Sequence, residues 1–359
     1  MIVRAVTLKA CITRILIHAG ATPSNAECVA SHLVNANLRG VDTHGVWQLP
    51  RYVAAIERGE LLPQASPGLL TDSPSFALVT GNWGFGQPAA LHATDQALRK
   101  AQNCGVAVIS IVQSHHIGRL GEYVEIAARE GFISMIWLSG LGEEKPDVMP
   151  YGGKKPLFST NPIAIGLPVG DEPSIVVDFA TSAISGVKIL EAVRLKRPLP
   201  PGTIVDKDGV GTTDAQKVLE GGAQVAFGGH KGYALMFTTE ILGRILAGAD
   251  SFVDPPRGGI TFSHHGVTMI ALKADLFQPM KVYNARTSEL RRRARAIPPA
   301  PGFSEVSAPG DPELRTLASR ERDGIPIPDD LWQTLMDLEA RDGGPIETAT
   351  NKSAPESVQ

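Results

Sequence analysis

Apolar positions recur at helical spacing through the first sixty residues. Ser24-Asn25-Ala26-Glu27 reads as a capping box, in which serine and glutamate satisfy backbone N–H groups reciprocally. Val29, Leu33 and Ala36 then keep one helix face apolar, and Gly40 supplies a stop. A second helical stretch is expected over 47–58, and Pro63, Pro67 and Pro74 mark a loop. From about residue 75 the pattern changes. Residues 88–103 are periodic as a helix and end at Gly105. The run 106–112 is too short and too β-branched for a helix, so it predicts a buried strand. A helix over 122–129, a stop at Gly131 and a strand over 132–138 follow. Further strands are expected at 163–168, 174–178 and 267–272, with helices near 183–195 and 231–248. No internal repeat is visible. The fold class is α/β (α+β mixed), with a large central mixed sheet, parallel in part, behind an N-terminal helical region.

A chain of 359 residues has room for two or three lobes and a large core. With 43% hydrophobic and 20% charged residues it has an ordinary globular composition. The net charge of −3 leaves no basic surplus for nucleic acid or an anionic membrane. The run Arg291-Arg292-Arg293 with Arg295 is flanked by Glu289 and lacks aromatics, so it reads as a solvated helix face. Cys11, Cys28 and Cys104 are odd in number and lie in apolar contexts, which fits free buried thiols in a reducing cytosol. No signal peptide is evident, and no stretch approaches the roughly 18 apolar residues of a spanning helix. These features predict a cytoplasmic protein.

Candidate chemistry concentrates in two short segments. Asp42-Thr43-His44-Gly45 and Ser114-His115-His116-Ile117-Gly118 each set a histidine beside glycine where an apolar element ends. Histidine is the side chain best placed to exchange a proton near neutral pH, and only nine occur here. A histidine standing alone at a chain turn is more often a structural hydrogen bonder, so neither segment by itself decides the matter. The G-x-G-x-x-G of a doubly wound dinucleotide site is missing. Its nearest approach, Gly140-Leu141-Gly142, runs into Glu143 and Glu144 where a pyrophosphate would sit. A metal site is not expected either: His115 and His116 are adjacent, as are His264 and His265, so each pair splits to opposite faces. Four further segments stand at element ends: Ser159-Thr160-Asn161-Pro162, Asp178-Phe179-Ala180-Thr181-Ser182, Gly228-Gly229-His230-Lys231-Gly232-Tyr233 and Ala308-Pro309-Gly310. Lys231 at a helix N-terminus suits an anion such as a phosphate, and plain turn or cap chemistry suits it too. Asp178 could orient a histidine or cap a helix.

Together, and in this order, Leu38 to Val46, the S-x-H-x-G of Ser114, His116 and Gly118, Thr160 to Ile165, Asp178 to Ser182 and His230 to Tyr233 resemble the type-2 malate/L-lactate dehydrogenase family. The family includes dehydrogenases for malate, lactate, sulfolactate and ureidoglycolate, a diketogulonate reductase and a cyclic-imine carboxylate reductase. The resemblance runs from about residue 5 to residue 340. It implies a non-Rossmann fold using NAD or NADP, a homodimer with clefts shaped by both subunits, and hydride transfer between nicotinamide and a 2-oxo or 2-hydroxy acid. A cyclic-imine reductase and a homologue that has lost catalysis are the alternatives. It also implies roles for single residues. His44 and His116 match the two acid/base positions, Thr43 sits where serine is usual, and Asp178 matches the carboxylate that buttresses His44. Asn161, Asp178 to Ser182 (Phe179, Ala180 and Thr181 included), His230 with Lys231, and Pro309 with Gly310 match stretches that contact the dinucleotide.

Three departures bear on the substrate. Thr43 adds a methyl group. Gln48 stands where many members carry an arginine that pairs with the substrate carboxylate, so the charge-assisted contact is lost. Leu138-Ser139-Gly140 replaces a T-N-S-like stretch, and the loop 141–147 is acidic. The chain is expected to divide into an N-terminal helical region, 1–70, packing with C-terminal helices at 291–345. Between them lies a cofactor- and substrate-binding sheet domain at 71–290, and a disordered tail is expected at 346–359. The apolar stripe Trp47, Leu49, Pro50, Tyr52 and Val53 serves equally as dimer surface or as core.

Overall fold

The computed structural model describes residues 1–140 and 145–340, so the acidic stretch 141–144 and the tail 346–359 lie outside the described residues. Seven strands build the central sheet: β1 Gly68–Asp72, β2 Phe76–Thr80, β3 Val106–Val112, β4 Phe132–Ser139, β5 Ile163–Leu167, β6 Ile175–Phe179 and β7 Gly266–Lys273. Their order across the sheet is β1-β2-β3-β7-β4-β5-β6. Only β2 and β3 run parallel, through the crossover helix Gly86–Cys104; every other neighbouring pair is antiparallel. The expected parallel pairing is therefore confined to one βαβ unit. That helix lays Ala89, Ala90, Ala93, Ala97 and Ala101 on the sheet, all buried, and small side chains let it approach closely. It ends at Gly105, whose φ of +83° is left-handed.

The sequence pattern missed β1, which occupies part of the expected proline-marked loop. It is an edge strand with Leu69 and Leu70 exposed and a bulge between Leu69 and Thr71, so it carries no period-two alternation. A small sheet of two-residue strands, Ile204–Val205, Gly211–Thr212 and Ala223–Gln224, is too short to leave a periodic signal.

The helix Pro23–Leu38 starts one cap earlier than expected. The Thr22 hydroxyl accepts the Asn25 amide at 3.2 Å, because Pro23 takes the first helical position and needs no N–H partner. Helices Ala5–His18, Pro23–Leu38 and Leu49–Glu57 share one core with the end of the chain. Leu8, Ile12, Ile15 and Leu33 meet Ile325, Leu331 and Leu335 there, and Ile2–Val3 pairs with Ile325–Pro326. The stripe after His44 belongs mostly to this core. Leu49, Tyr52 and Val53 are buried within the chain and only Trp47 is exposed, so the stripe offers little surface to a partner.

Two composition readings change. Arg291 is buried, with its guanidinium toward Glu172 at 3.4 Å; Arg292 pairs with Glu289 on the surface, and Arg295 reaches the buried Asp311. The cysteines are free, but only Cys11 is buried and Cys104 is exposed.

Candidate active site

Asp42–His44 forms a short 3₁₀ turn just past the helix Pro23–Leu38. Asn37 pins it from inside, its Oδ1 accepting the Val46 amide at 2.8 Å and its Nδ2 donating to Asp42 at 2.6 Å. Arg320 grips both Asp42 oxygens from the far end of the chain. A Cβ at Gly45 would lie 2.2 Å from the Asn37 Oδ1, so glycine is required where the turn folds back on that amide. His44 is thereby held rigidly, with its Nδ1 3.0 Å from the Thr43 hydroxyl.

The second segment leaves β3 and turns at Gly118, whose φ is +78°. A Cβ there would meet His32 Nε2 at 2.1 Å, and that nitrogen accepts the Arg119 amide at 2.8 Å. His115 and His116 both pack near Tyr52 and Phe262 but differ in their other neighbours. His115 packs on Phe262 with ring centroids 4.1 Å apart and stays buried. His116 faces His44, their rings stacked at 5.5 Å with an interplanar angle of 23°, and its Nδ1 lies 2.6 Å from the Tyr52 hydroxyl. Both segments open on one cleft of about 1170 Å³, lined by Thr43, His44, His116, Asp178, Phe179 and Ala180 among others.

Burial decides the charge state of these groups. Loss of hydration pushes His44 down to about 4, helped by Arg119 and His32. His116 is held well below its ordinary value, by burial first and then by His44 and His115. Both rings are therefore neutral at pH 7. Burial raises the Asp178 carboxyl, while the Arg119 guanidinium and the Gly121 amide oppose that.

The remaining sequence candidates divide. Asp178 does not buttress His44 here: its Oδ2 accepts the Gly121 amide at 2.7 Å. Gln48 is buried and donates to the Thr43 carbonyl at 2.6 Å, bracing the turn under His44, and its Oε1 lies 3.4 Å from the Arg51 guanidinium. Asn161 is fully buried and donates to Met236 O and Glu240, and the Thr181 and Ser182 hydroxyls donate to nearby carbonyls. Asn161 and Thr181 tie the ends of β5 and β6 to each other and to the helix His230–Glu240, Ser182 braces its own turn, and none of the three is among the residues lining the cleft. Pro309 accepts the Val176 amide and Gly310 lies beside Val176, against β6. His230 and Lys231 are exposed in the first turn of the helix His230–Glu240. The segment leading into that turn is tied to the cleft wall, since Phe227 meets Phe179 edge-to-face at 5.4 Å and donates its amide to Thr181 O.

Tyr52, Gln87, Phe262 and Arg119 surround the histidines and escaped the sequence reading. Tyr52 lies eight residues beyond His44 in an apolar stripe, where a phenol reads as core. Among the described residues no three His, Cys, Asp or Glu side chains converge as metal ligands, and no helix is long and apolar enough to cross a membrane.

Comparison with known proteins places this geometry. The signature of the malate/L-lactate dehydrogenase family matches residues 3–336. The chain is 32% identical over 341 residues to the malate/(S)-sulfolactate dehydrogenase of Methanothermus fervidus, covering 94% of this chain and 97% of that one. The solved structure of sulfolactate dehydrogenase from Methanocaldococcus jannaschii superposes with a TM-score of 0.85 at 33% identity, over 94% of this chain and 96% of that one. The delta1-piperideine-2-carboxylate reductase of Pseudomonas syringae gives 0.82 at 31% identity, over 94% and 99%. The chain belongs to the malate/L-lactate dehydrogenase family.

Proposed function

We propose that this member of the malate/L-lactate dehydrogenase family transfers a hydride between NAD(P)H and a small 2-oxo acid, or its 2-hydroxy partner in reverse. The observation that carries this reading is the stacked pair His44 and His116 at the wall of one dinucleotide-sized cleft. The bound nicotinamide supplies the hydride, and the proton on the substrate oxygen is the task of the chain. Two neutral imidazoles whose rings stack cannot both become charged, so one proton is exchanged at a time. Neutral rings can accept the hydroxyl proton in the oxidative direction at pH 7.

The chain's residues fit a dinucleotide. Asp178, Phe179 and Ala180 line the cleft. The helix His230–Glu240 begins with no side-chain cap, so its first amides and Lys231 remain free for a phosphate. NAD and NADP both suit this arrangement. An arginine stands at the position of Gln48 in many members, so this chain brings one cation fewer to that corner of the site, which disfavours substrates with two anionic ends. The likeness to a cyclic-imine reductase puts imine carboxylates beside the oxo acids as candidates. Nicotinamide absorbance with a panel of oxo acids and cyclic imines, beside calorimetric titration with each cofactor, tests the reading. Binding of one cofactor with turnover of at least one substrate is expected. Binding without turnover would mean a homologue that has lost catalysis, and neither would end the proposal.

We also read the protein as a homodimer. The helix His230–Glu240 and the π turn Ile241–Ile245 after it bury only Gly232, Met236, Thr239 and Gly243. Leu235, Phe237, Ile241, Ile245 and Leu246 stand 42–59% exposed along them. An apolar stripe of that size on a helix that opens beside the cofactor stretch fits burial against a second copy. Sedimentation over a dilution series is expected to show a dimer that loses activity as it dissociates. A fully active monomer would overturn this. The free thiols, one of them exposed, fit a reducing compartment such as the cytoplasm.

A further inference from the structure

Tyr52 is 1% exposed and sits between two groups. Its hydroxyl oxygen lies 2.8 Å from the Gln87 amide nitrogen and 2.6 Å from His116 Nδ1. Gln87 is itself fully buried, on the crossover helix Gly86–Cys104. An amide nitrogen can only donate, so the phenol oxygen accepts from Gln87. A phenol carries one hydrogen, and a buried O–H without an acceptor costs about 1–3 kcal/mol. Among the described residues the acceptor in reach is His116 Nδ1. That nitrogen must then present its lone pair. A neutral imidazole holds a single proton, which is left on Nε2, the ring nitrogen turned away from Tyr52.

We propose that Tyr52 and Gln87 are positioning residues that fix the tautomer of His116, with Nδ1 as acceptor and the proton on Nε2. The inference deepens the dehydrogenase reading and its chemical consequence rests on it. An Nε2–H at the cleft is a hydrogen-bond donor for the carbonyl oxygen of an oxo acid or for the alkoxide that replaces it. His44, stacked beside it and braced by Thr43 rather than Tyr52, is then free to exchange the proton itself. The adjacent histidines thus differ in role because the donor order Gln87 to Tyr52 to His116 runs one way. Gln87 accomplishes this without touching the ring.

The tautomer is directly readable, with no turnover required. Histidine labelled with ¹⁵N, observed in the intact protein at neutral pH, is expected to show protonated Nε2 and bare Nδ1 for the resonances that vanish in His116→Gln. A proton on Nδ1 in the unaltered protein would overturn the proposal. Gln87→Glu replaces the donor by an acceptor, so the Tyr52 hydrogen should swing to the carboxylate and the His116 proton should move to Nδ1. Tyr52→Phe should leave a mixture of tautomers and lower kcat roughly 10- to 100-fold with little change in cofactor Kd, the usual scale for losing an orienting partner. An unchanged tautomer in either folded variant would refute the donor chain. If Tyr52→Phe does not fold, the unaltered protein and Gln87→Glu decide the matter. Because the spectrum is read without substrate, a failure of the dehydrogenase reading would leave this result intact, and the converse holds as well.

Discussion

His116→Ala and His44→Ala are each expected to lower kcat by roughly 10²-fold or more, the usual scale for losing a positioned acid or base. His115→Ala costs far less in kcat. The argument is geometric. His116 and His44 face one another across 5.5 Å at the cleft, whereas the neighbouring His115 ring turns onto Phe262 at 4.1 Å. Losing His115 therefore leaves a cavity against an aromatic ring, which reads as reduced stability. Single-turnover hydride transfer separates the two outcomes, since the first pair should slow the chemical step while binding the nicotinamide cofactor normally. A kcat more sensitive to His115 than to His116 would mean that the wrong ring has been placed at the reacting oxygen. A full rate in both His44→Ala and His116→Ala would remove the histidine pair from the mechanism altogether.

The two histidine segments could be found in the sequence because each combines a titratable ring with a glycine that the backbone cannot do without. Gly45 sits on the Asn37 amide and Gly118 on the His32 ring, contacts that a Cβ would forbid. The choice of His116 over His115 rests on the S-x-H spacing from Ser114 that the family resemblance supplies, since adjacency alone does not say which ring meets the cleft. The sheet order could not be found this way. β7 is the last strand of the sheet in the chain yet lies at its centre, paired with both β3 and β4. Nothing local in residues 266–273 says which partners a buried strand will choose. The surroundings of Gln48 were hidden for a related reason. The family resemblance tied this position to the substrate carboxylate, while the bond from its amide back to the Thr43 carbonyl exists only through the short 3₁₀ turn. Arg291 reads as one of three like charges, and only the approach of Glu172 from over a hundred residues away buries it. Tyr52 and Gln87 are separated by 35 residues and meet at His116 through the packing of two layers, which a periodicity cannot encode.

Acidification should destabilise this protein through its buried histidines, well before its surface carboxylates titrate. His44, His115 and His265 are pushed down by burial to about 4, 3 and 4, and His116 lies well below its ordinary value. In the unfolded chain each returns to about 6.5. Between the folded and unfolded values the unfolded state binds more protons, so stability falls as pH drops through this window and is unaffected above it. Each group contributes at most about 1.4 kcal/mol per pH unit. At pH 5 four such groups could remove about 8 kcal/mol, which is comparable to the whole stability of an ordinary domain. Asp178 and Asp147 act in the opposite sense, because burial raises both carboxyls and protonation relieves them, but they are two groups against four deeply buried histidines, with His92 lowered by burial as a fifth. Glu122, Asp250 and Asp311 are held low by their partners and lose stability only at more acidic pH. Chemical denaturation at fixed protein concentration from pH 7.5 to 5 is the measurement, with a slope approaching four protons near pH 5.5 expected. His115→Phe keeps an aromatic ring against Phe262 and removes one titrating group, so it should reduce that slope by about one proton. A stability that stays level from pH 7.5 to 5 would show that the histidine cluster is hydrated or charged in the folded protein. The neutral pair assigned to the proton exchange would then fall with it.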